Sequence, residues 1–228
     1  MDILLIAGLW LDGSAWKEVV PALEALGHRP VALTLPGQGD GSTSATLDDQ
    51  VAAVLAAVDA ADRPMVVGHS AACTLAWLAA DARPEQVAEV ALIGGFPGSD
   101  GAAYADFFAY EGGVMPFPGW GPFEGPDSAD LDEEARRRFT AAAIPVPEGV
   151  AKGVVRLRDE RRFDVPVVVV CPEFTPDQAR EWIGAGDVPE LAKARRLEYV
   201  DIDSGHWPMF TRPDELARIL AGAAGGSR

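Results

Sequence analysis

Short, nearly continuous apolar runs of strand length recur along the chain at residues 3–7, 30–35, 65–67, 87–93, 165–171 and 197–202. Between most of them, at 15–26, 47–61, 71–80 and 215–221, apolar residues return at helical spacing instead. Strands that are apolar at successive rather than alternate positions are buried on both faces, as in a parallel sheet covered by helices. The alternating order predicts an α/β fold: a single domain over residues 1–228, with a mostly parallel sheet of about six strands.

Polar residues punctuate this pattern. Ser14 is expected to cap the first helix, Thr46 with Asp49 forms a capping-box-like pair, and Thr211 with Asp214 repeats it near the end. Gly27 reads as a helix stop and Pro36-Gly37-Gln38-Gly39-Asp40-Gly41 as a loop. The rhythm fails over about 96–163, where Phe107, Phe108, Tyr110, Met115, Phe117, Trp120 and Phe123 mix with many Gly and Pro residues. No strand pattern survives there, and a charged helical patch follows at 130–142. The segment is expected to be an insertion of short helices capping a pocket on the sheet, not a separate domain.

Composition narrows the function. A hydrophobic fraction of 48% suits a packed core and excludes a disordered chain. With 35 acidic against 19 basic residues the formal charge is −16, which repels nucleic-acid backbones and anionic membrane surfaces. No run approaches transmembrane length, and the segment Met1-Asp2-Ile3-Leu4-Leu5-Ile6 has no basic start and reads as a strand. Cys73 and Cys171 each lie in an apolar stretch, so two buried thiols in a reducing, cytoplasmic setting are expected. The three histidines and two cysteines show no paired ligand spacing, so no metal is expected, and no cofactor. The expected partner is a small-molecule substrate, with a homodimer left open.

The strongest chemical signal is Met65-Val66-Val67-Gly68-His69-Ser70-Ala71-Ala72-Cys73, a strand running through a tight turn into an apolar helix. Such a turn exposes a serine oxygen, while the helix behind it aims its positive end at developing negative charge. By itself the turn favours a nucleophile only modestly over a serine that merely caps the helix. The distant Asp203-Ser204-Gly205-His206-Trp207-Pro208, directly after the last strand, weights the choice, because a loop there can present a general base. Ser70 as nucleophile and His206 as base is the combined reading.

These residues resemble the α/β-hydrolase superfamily over nearly the whole chain. Ile6-Ala7-Gly8-Leu9-Trp10 is similar to its oxyanion loop, Leu35-Pro36-Gly37-Gln38-Gly39 to its second loop, Gly68-His69-Ser70 to its nucleophile elbow and Gly205-His206-Trp207-Pro208 to its histidine loop. Trp182 after Ala179-Arg180-Glu181 is similar to the small esterase and hydroxynitrile lyase branch. The resemblance implies an oxyanion hole from the backbone N–H groups of Leu9 and Ala71, and an acid after the penultimate strand. Glu173 is the first choice for that acid, with Asp177 and Asp100 as alternatives. Two departures are Ala7, where the family often has His, and Ala72 in place of the elbow's second glycine. Trp10, His69, Phe107, Phe108, Trp120 and Trp207 are expected to contact substrate. The implied activity is cleavage of a small carboxylic ester through an acyl-serine. The alternatives are a lyase or cofactor-free ring-modifying enzyme, and a small-molecule receptor on the same scaffold.

Overall fold

The computed structural model describes residues 1–226. In chain order its main elements are β1 (Asp2–Ile6), α1 (Val19–Ala25), β2 (Arg29–Leu33), α2 (Leu47–Asp59), β3 (Met65–His69), α3 (Cys73–Ala82) and β4 (Glu89–Ile93). The insertion contributes β5 (Val114–Met115), α4 (Glu133–Ala142), β6 (Val146–Pro147) and α5 (Glu148–Ala151). The chain then closes with β7 (Val167–Cys171), α6 (Pro176–Ala185), β8 (Leu197–Asp201), α7 (Pro208–Thr211) and α8 (Pro213–Gly226). Among the described residues, no helix is long and apolar enough to cross a membrane.

Six strands pair in the order β2-β1-β3-β4-β7-β8, and every pairing in that sheet is parallel. Successive residues of a strand point to opposite faces, and here each face meets its own core. Leu4, Ile6, Val66, Val167 and Val169 join Val54 and Val58 of α2 and Leu75 and Trp77 of α3. Ile3, Leu5, Met65, Val67, Val168 and Val170 pack instead with Val19 and Leu23 of α1 and Leu216 and Leu220 of α8. That double burial explains the nearly continuous apolar runs of β1, β3, β4 and β7, all of whose residues are buried. The edge strands β2 and β8 are partly exposed.

Several local boundaries differ from the sequence reading. The helix expected at 15–26 is divided into a 3₁₀ turn at Gly13–Trp16 and α1, and the cap of that turn is Asp12, whose side chain accepts from the Ser14 N–H. Thr211 does not cap α8: it ends α7, its hydroxyl is buried without a hydrogen-bond partner, and Pro213 opens the helix. The Thr46–Asp49 capping box is present, and a second, Thr175 with Gln178, starts α6. Within the insertion β5 and β6 pair antiparallel, two residues each, which is too short to leave a periodic trace.

The insertion leaves the sheet after β4 and re-enters at β7, the neighbouring strand. A buried ionic cluster fastens its return. Arg162 donates to Glu190 Oε2 at 2.9 Å, to Asp81 Oδ1 at 3.2 Å and to the Asp159 carbonyl at 3.0 Å. Asp81 also accepts from the Arg158 and Asp159 N–H groups, and Trp77 Nε1 donates to Glu190. The side chains of Arg162, Asp81 and Glu190 are only 7–8% exposed, so each charge depends on the others for compensation.

Candidate active site

The chain runs outward from β1 in one direction to β2 and in the other to β3, so the sheet's order reverses between β1 and β3. The loops leaving the carboxyl ends of two such strands diverge and leave a crevice between them. Ile6 pairs with Gly68 across this point, which sets the loop after β1 beside the turn after β3. A methyl group on Gly8 would lie 2.9 Å from Ser70 Cβ, so only glycine allows that approach.

The turn at Ser70 is tightly constrained. Ser70 has φ +56°, a left-handed conformation unusual outside glycine. At Gly68 a methyl would meet the Ala72 carbonyl oxygen at 2.3 Å, and at Gly95 the Ser70 carbonyl oxygen at 2.8 Å. Ala72, in contrast, accommodates its own methyl in the core with no exposed surface. Strain held by close packing of this kind typically marks a functional turn.

Ser70, His206 and Glu173 come together at this edge of the sheet. Ser70 Oγ lies 2.9 Å from His206 Nε2, and His206 Nδ1 lies 2.7 Å from Glu173 Oε1. Glu173 stands two residues beyond β7 and His206 in the loop beyond β8, so each side chain is delivered by the end of a strand. The His206 and Glu173 side chains are 12% and 14% exposed, which keeps their hydrogen bond largely out of water. The other acids are occupied elsewhere: Asp177 pairs with Arg180 in the first turn of α6, and Asp100 accepts from the Leu157 N–H. The Leu9 N–H finds no acceptor among the described residues. Ala71 lies in the first turn after Ser70, where helical geometry leaves N–H groups without internal partners.

The family model described as the alpha/beta hydrolase family matches residues 3–219. The chain belongs to that family. It is 26% identical over 250 aligned residues to Methylesterase 7 of Arabidopsis thaliana, with 95% of this chain and 94% of that protein covered. Among solved structures it resembles an extracellular α/β-hydrolase from a Paenibacillus species, at TM-score 0.78 and 17% identity, covering 98% of each chain. A pyrethroid hydrolase from Sphingobium faniae is also similar, at TM-score 0.69 and 22% identity, with 99% of this chain and 97% of that one covered.

The residues expected to touch substrate in this hydrolase divide by burial. His69 is only 1% exposed and engages the interior, its Nε2 lying 2.7 Å from the His206 carbonyl oxygen. Its ring therefore supports the loop that carries His206, a contact the sequence did not mark. Burial first, and then the neighbouring His206, hold its imidazole down to about 3, so it is neutral at ordinary pH and Nε2–H is the donor. Trp10 and Trp207 are also buried, at 5% and 3%. Trp10, with φ +64°, packs its ring against Phe108, Phe117 and Phe123, while Phe123, Trp120 and Phe139 pack against Trp207. A continuous aromatic cluster thus joins the loop after β1 to the loop after β8 through the insertion. Phe107 is 64% exposed, Phe108 and Trp120 are half-buried, and the three belong to the cluster's outer part.

Two site residues escaped the sequence reading. The His206 N–H donates to the Asp127 carbonyl oxygen at 2.7 Å, and the Gly205 N–H donates to Asp130 Oδ2 at 2.8 Å. The Asp127 carboxyl is pushed up by burial and, next, by the charge of Glu173. Asp130 opens the charged patch at 130–142, yet it lies outside the helix there, which is capped by Asp132. No local pattern marks a partner 75 residues away.

Proposed function

We propose that this hydrolase cleaves a small carboxylic ester through an acyl-Ser70 intermediate. The observation that carries the reading is the hydrogen-bonded line Ser70 Oγ, His206 Nε2, His206 Nδ1, Glu173 Oε1, with contacts of 2.9 and 2.7 Å, ending on a strained strand-to-helix turn. His206 Nε2 takes the Ser70 proton as Oγ bonds to the ester carbonyl carbon, and the resulting oxyanion is held by the Leu9 and Ala71 N–H groups. Collapse breaks the bond to the alcohol oxygen, which leaves with the proton from His206. Water then attacks the acyl-serine, giving its proton to His206, which returns it to Ser70 Oγ as the acid departs. Glu173 keeps Nδ1–H in place and stabilises the transient imidazolium.

The named activity of the Methylesterase 7 relative supports ester cleavage, as does that of the pyrethroid hydrolase with the same fold. The aromatic cluster beside the oxyanion loop favours a substrate with an apolar or aromatic portion. Two unpaired, buried thiols support a reducing, cytoplasmic setting, which cell fractionation tests. A fluorophosphonate probe should label Ser70, and small aryl esters should be turned over by the unaltered protein but not by Ser70→Ala. Folded protein that neither reacts with the probe nor cleaves any ester of such a panel would overturn the proposal.

A further inference from the structure

We infer that Asp130, in the insertion, is a positioning residue for His206, so that the cap forms part of the scaffold of the catalytic base. The inference rests on the Ser70–His206 reading above. The histidine loop is held on two sides. From the core, His69 Nε2–H donates to the His206 carbonyl oxygen at 2.7 Å. From the insertion, Asp130 Oδ2 accepts the Gly205 N–H at 2.8 Å and the Asp127 carbonyl oxygen accepts the His206 N–H at 2.7 Å. Both backbone groups of His206 and the N–H before it are thereby fixed, two of the three by one strap of the cap.

The strap is pressed close. A methyl group on Gly205 would lie 2.4 Å from both the Asp127 carbonyl oxygen and Asp130 Oδ1, so this position has no room for a side chain. The strap is itself fastened: Ser128, with no exposed surface, donates to the Phe123 carbonyl oxygen at 2.6 Å and accepts from Arg136 of α4 at 3.0 Å. Phe123 in turn packs between Trp10 and Trp207. A displacement of the strap therefore moves the loop that carries His206, and an imidazole displaced by a fraction of its hydrogen-bond length loses either Ser70 or Glu173.

The test compares Asp130→Ala, which removes the acceptor, with Asp130→Asn, which keeps an oxygen at the same reach. For hydrolysis of an aryl ester, Asp130→Ala should lower kcat by about 100-fold with KM within about threefold, because misplacement affects the transition state more than binding. Asp130→Asn should return kcat to within about fivefold of the unaltered protein. A second readout is the proton NMR resonance of His206 Nδ1–H, which should persist in Asp130→Asn and be lost in Asp130→Ala. If Asp130→Ala does not fold, Asp130→Glu, which moves the acceptor by a methylene, takes its place with the same expected losses. Unchanged kcat and resonance in the acceptor-shifting variant, or equal losses in Asp130→Asn, would overturn the inference. The resonance does not depend on the reaction catalysed, so an inactive unaltered protein would count against ester hydrolysis while this comparison still decides the role of Asp130.

Discussion

Burial of His69 beneath the His206 loop should make the protein's stability fall steeply on mild acidification. Its imidazole titrates at about 3 in the folded state, chiefly because burial penalises the charged form, whereas an unfolded chain would bind the proton near 6.5. Above about pH 6.5 neither state is protonated at this residue and its full contribution to stability is present. As pH falls from there toward the folded value of about 3, the unfolded state gains the proton first and stability drops. The linkage amounts to about 2 kcal/mol lost at pH 5 relative to pH 8. Urea unfolding followed by circular dichroism should therefore show a midpoint lower by about 1 M at pH 5 from this residue alone. Other groups titrate over the same range, among them His28, also lowered by burial. The decisive comparison is with His69→Gln, which cannot titrate but can still donate to the His206 carbonyl. The variant's stability should be shifted by a constant amount and fall less between pH 8 and pH 5. An identical fall in both proteins would refute the argument.

Other consequences can be measured directly. Replacing Arg162 with Met leaves Asp81 and Glu190 buried without their counter-charge, and should cost about 3–5 kcal/mol, seen as a melting temperature lower by about 10 °C. Converting Asp81 and Glu190 to Asn and Gln in the same protein should recover part of that loss. Glu173→Gln should lower kcat for an aryl ester by about 10⁴-fold while leaving the melting temperature within a few degrees, because the orienting carboxylate matters when His206 is charged. Gly68→Ala should reduce stability by about 1–3 kcal/mol, since its methyl has no room against the Ala72 carbonyl oxygen; unchanged stability there would contradict the packing of the elbow.

The sheet was legible in the sequence because β1, β3, β4 and β7 are buried on both faces and so carry nearly continuous apolar runs. Ser70 and His206 were legible because a strand-turn-helix transition and a loop after the last strand leave local marks. Glu173 was inferred from its place at the strand end, with Asp177 and Asp100 left as rivals that only the hydrogen bonds separate. His69 was expected at the substrate, and nothing local announced its contact with the His206 loop. It closes a strand that is buried throughout, and its ring reaches the His206 carbonyl oxygen. Local turn chemistry was also hard to read: Asp12 rather than Ser14 caps the first turn, since a polar pair two residues apart offers either choice. The Asp130 contact was illegible for a different reason, as it depends on how a long insertion folds back over the sheet.

That fold-back bears on how the protein could be re-engineered. The insertion departs and returns at adjacent strands, an arrangement in which one cap could be exchanged for another without disturbing the sheet. The strap withdraws that freedom here, because a grafted cap must also bring a carboxylate or carbonyl to Gly205 and His206. Chimaeras designed on the sheet junctions alone should fold and yet be slow, and selection for activity should restore an acceptor beside Gly205 before it reshapes the pocket.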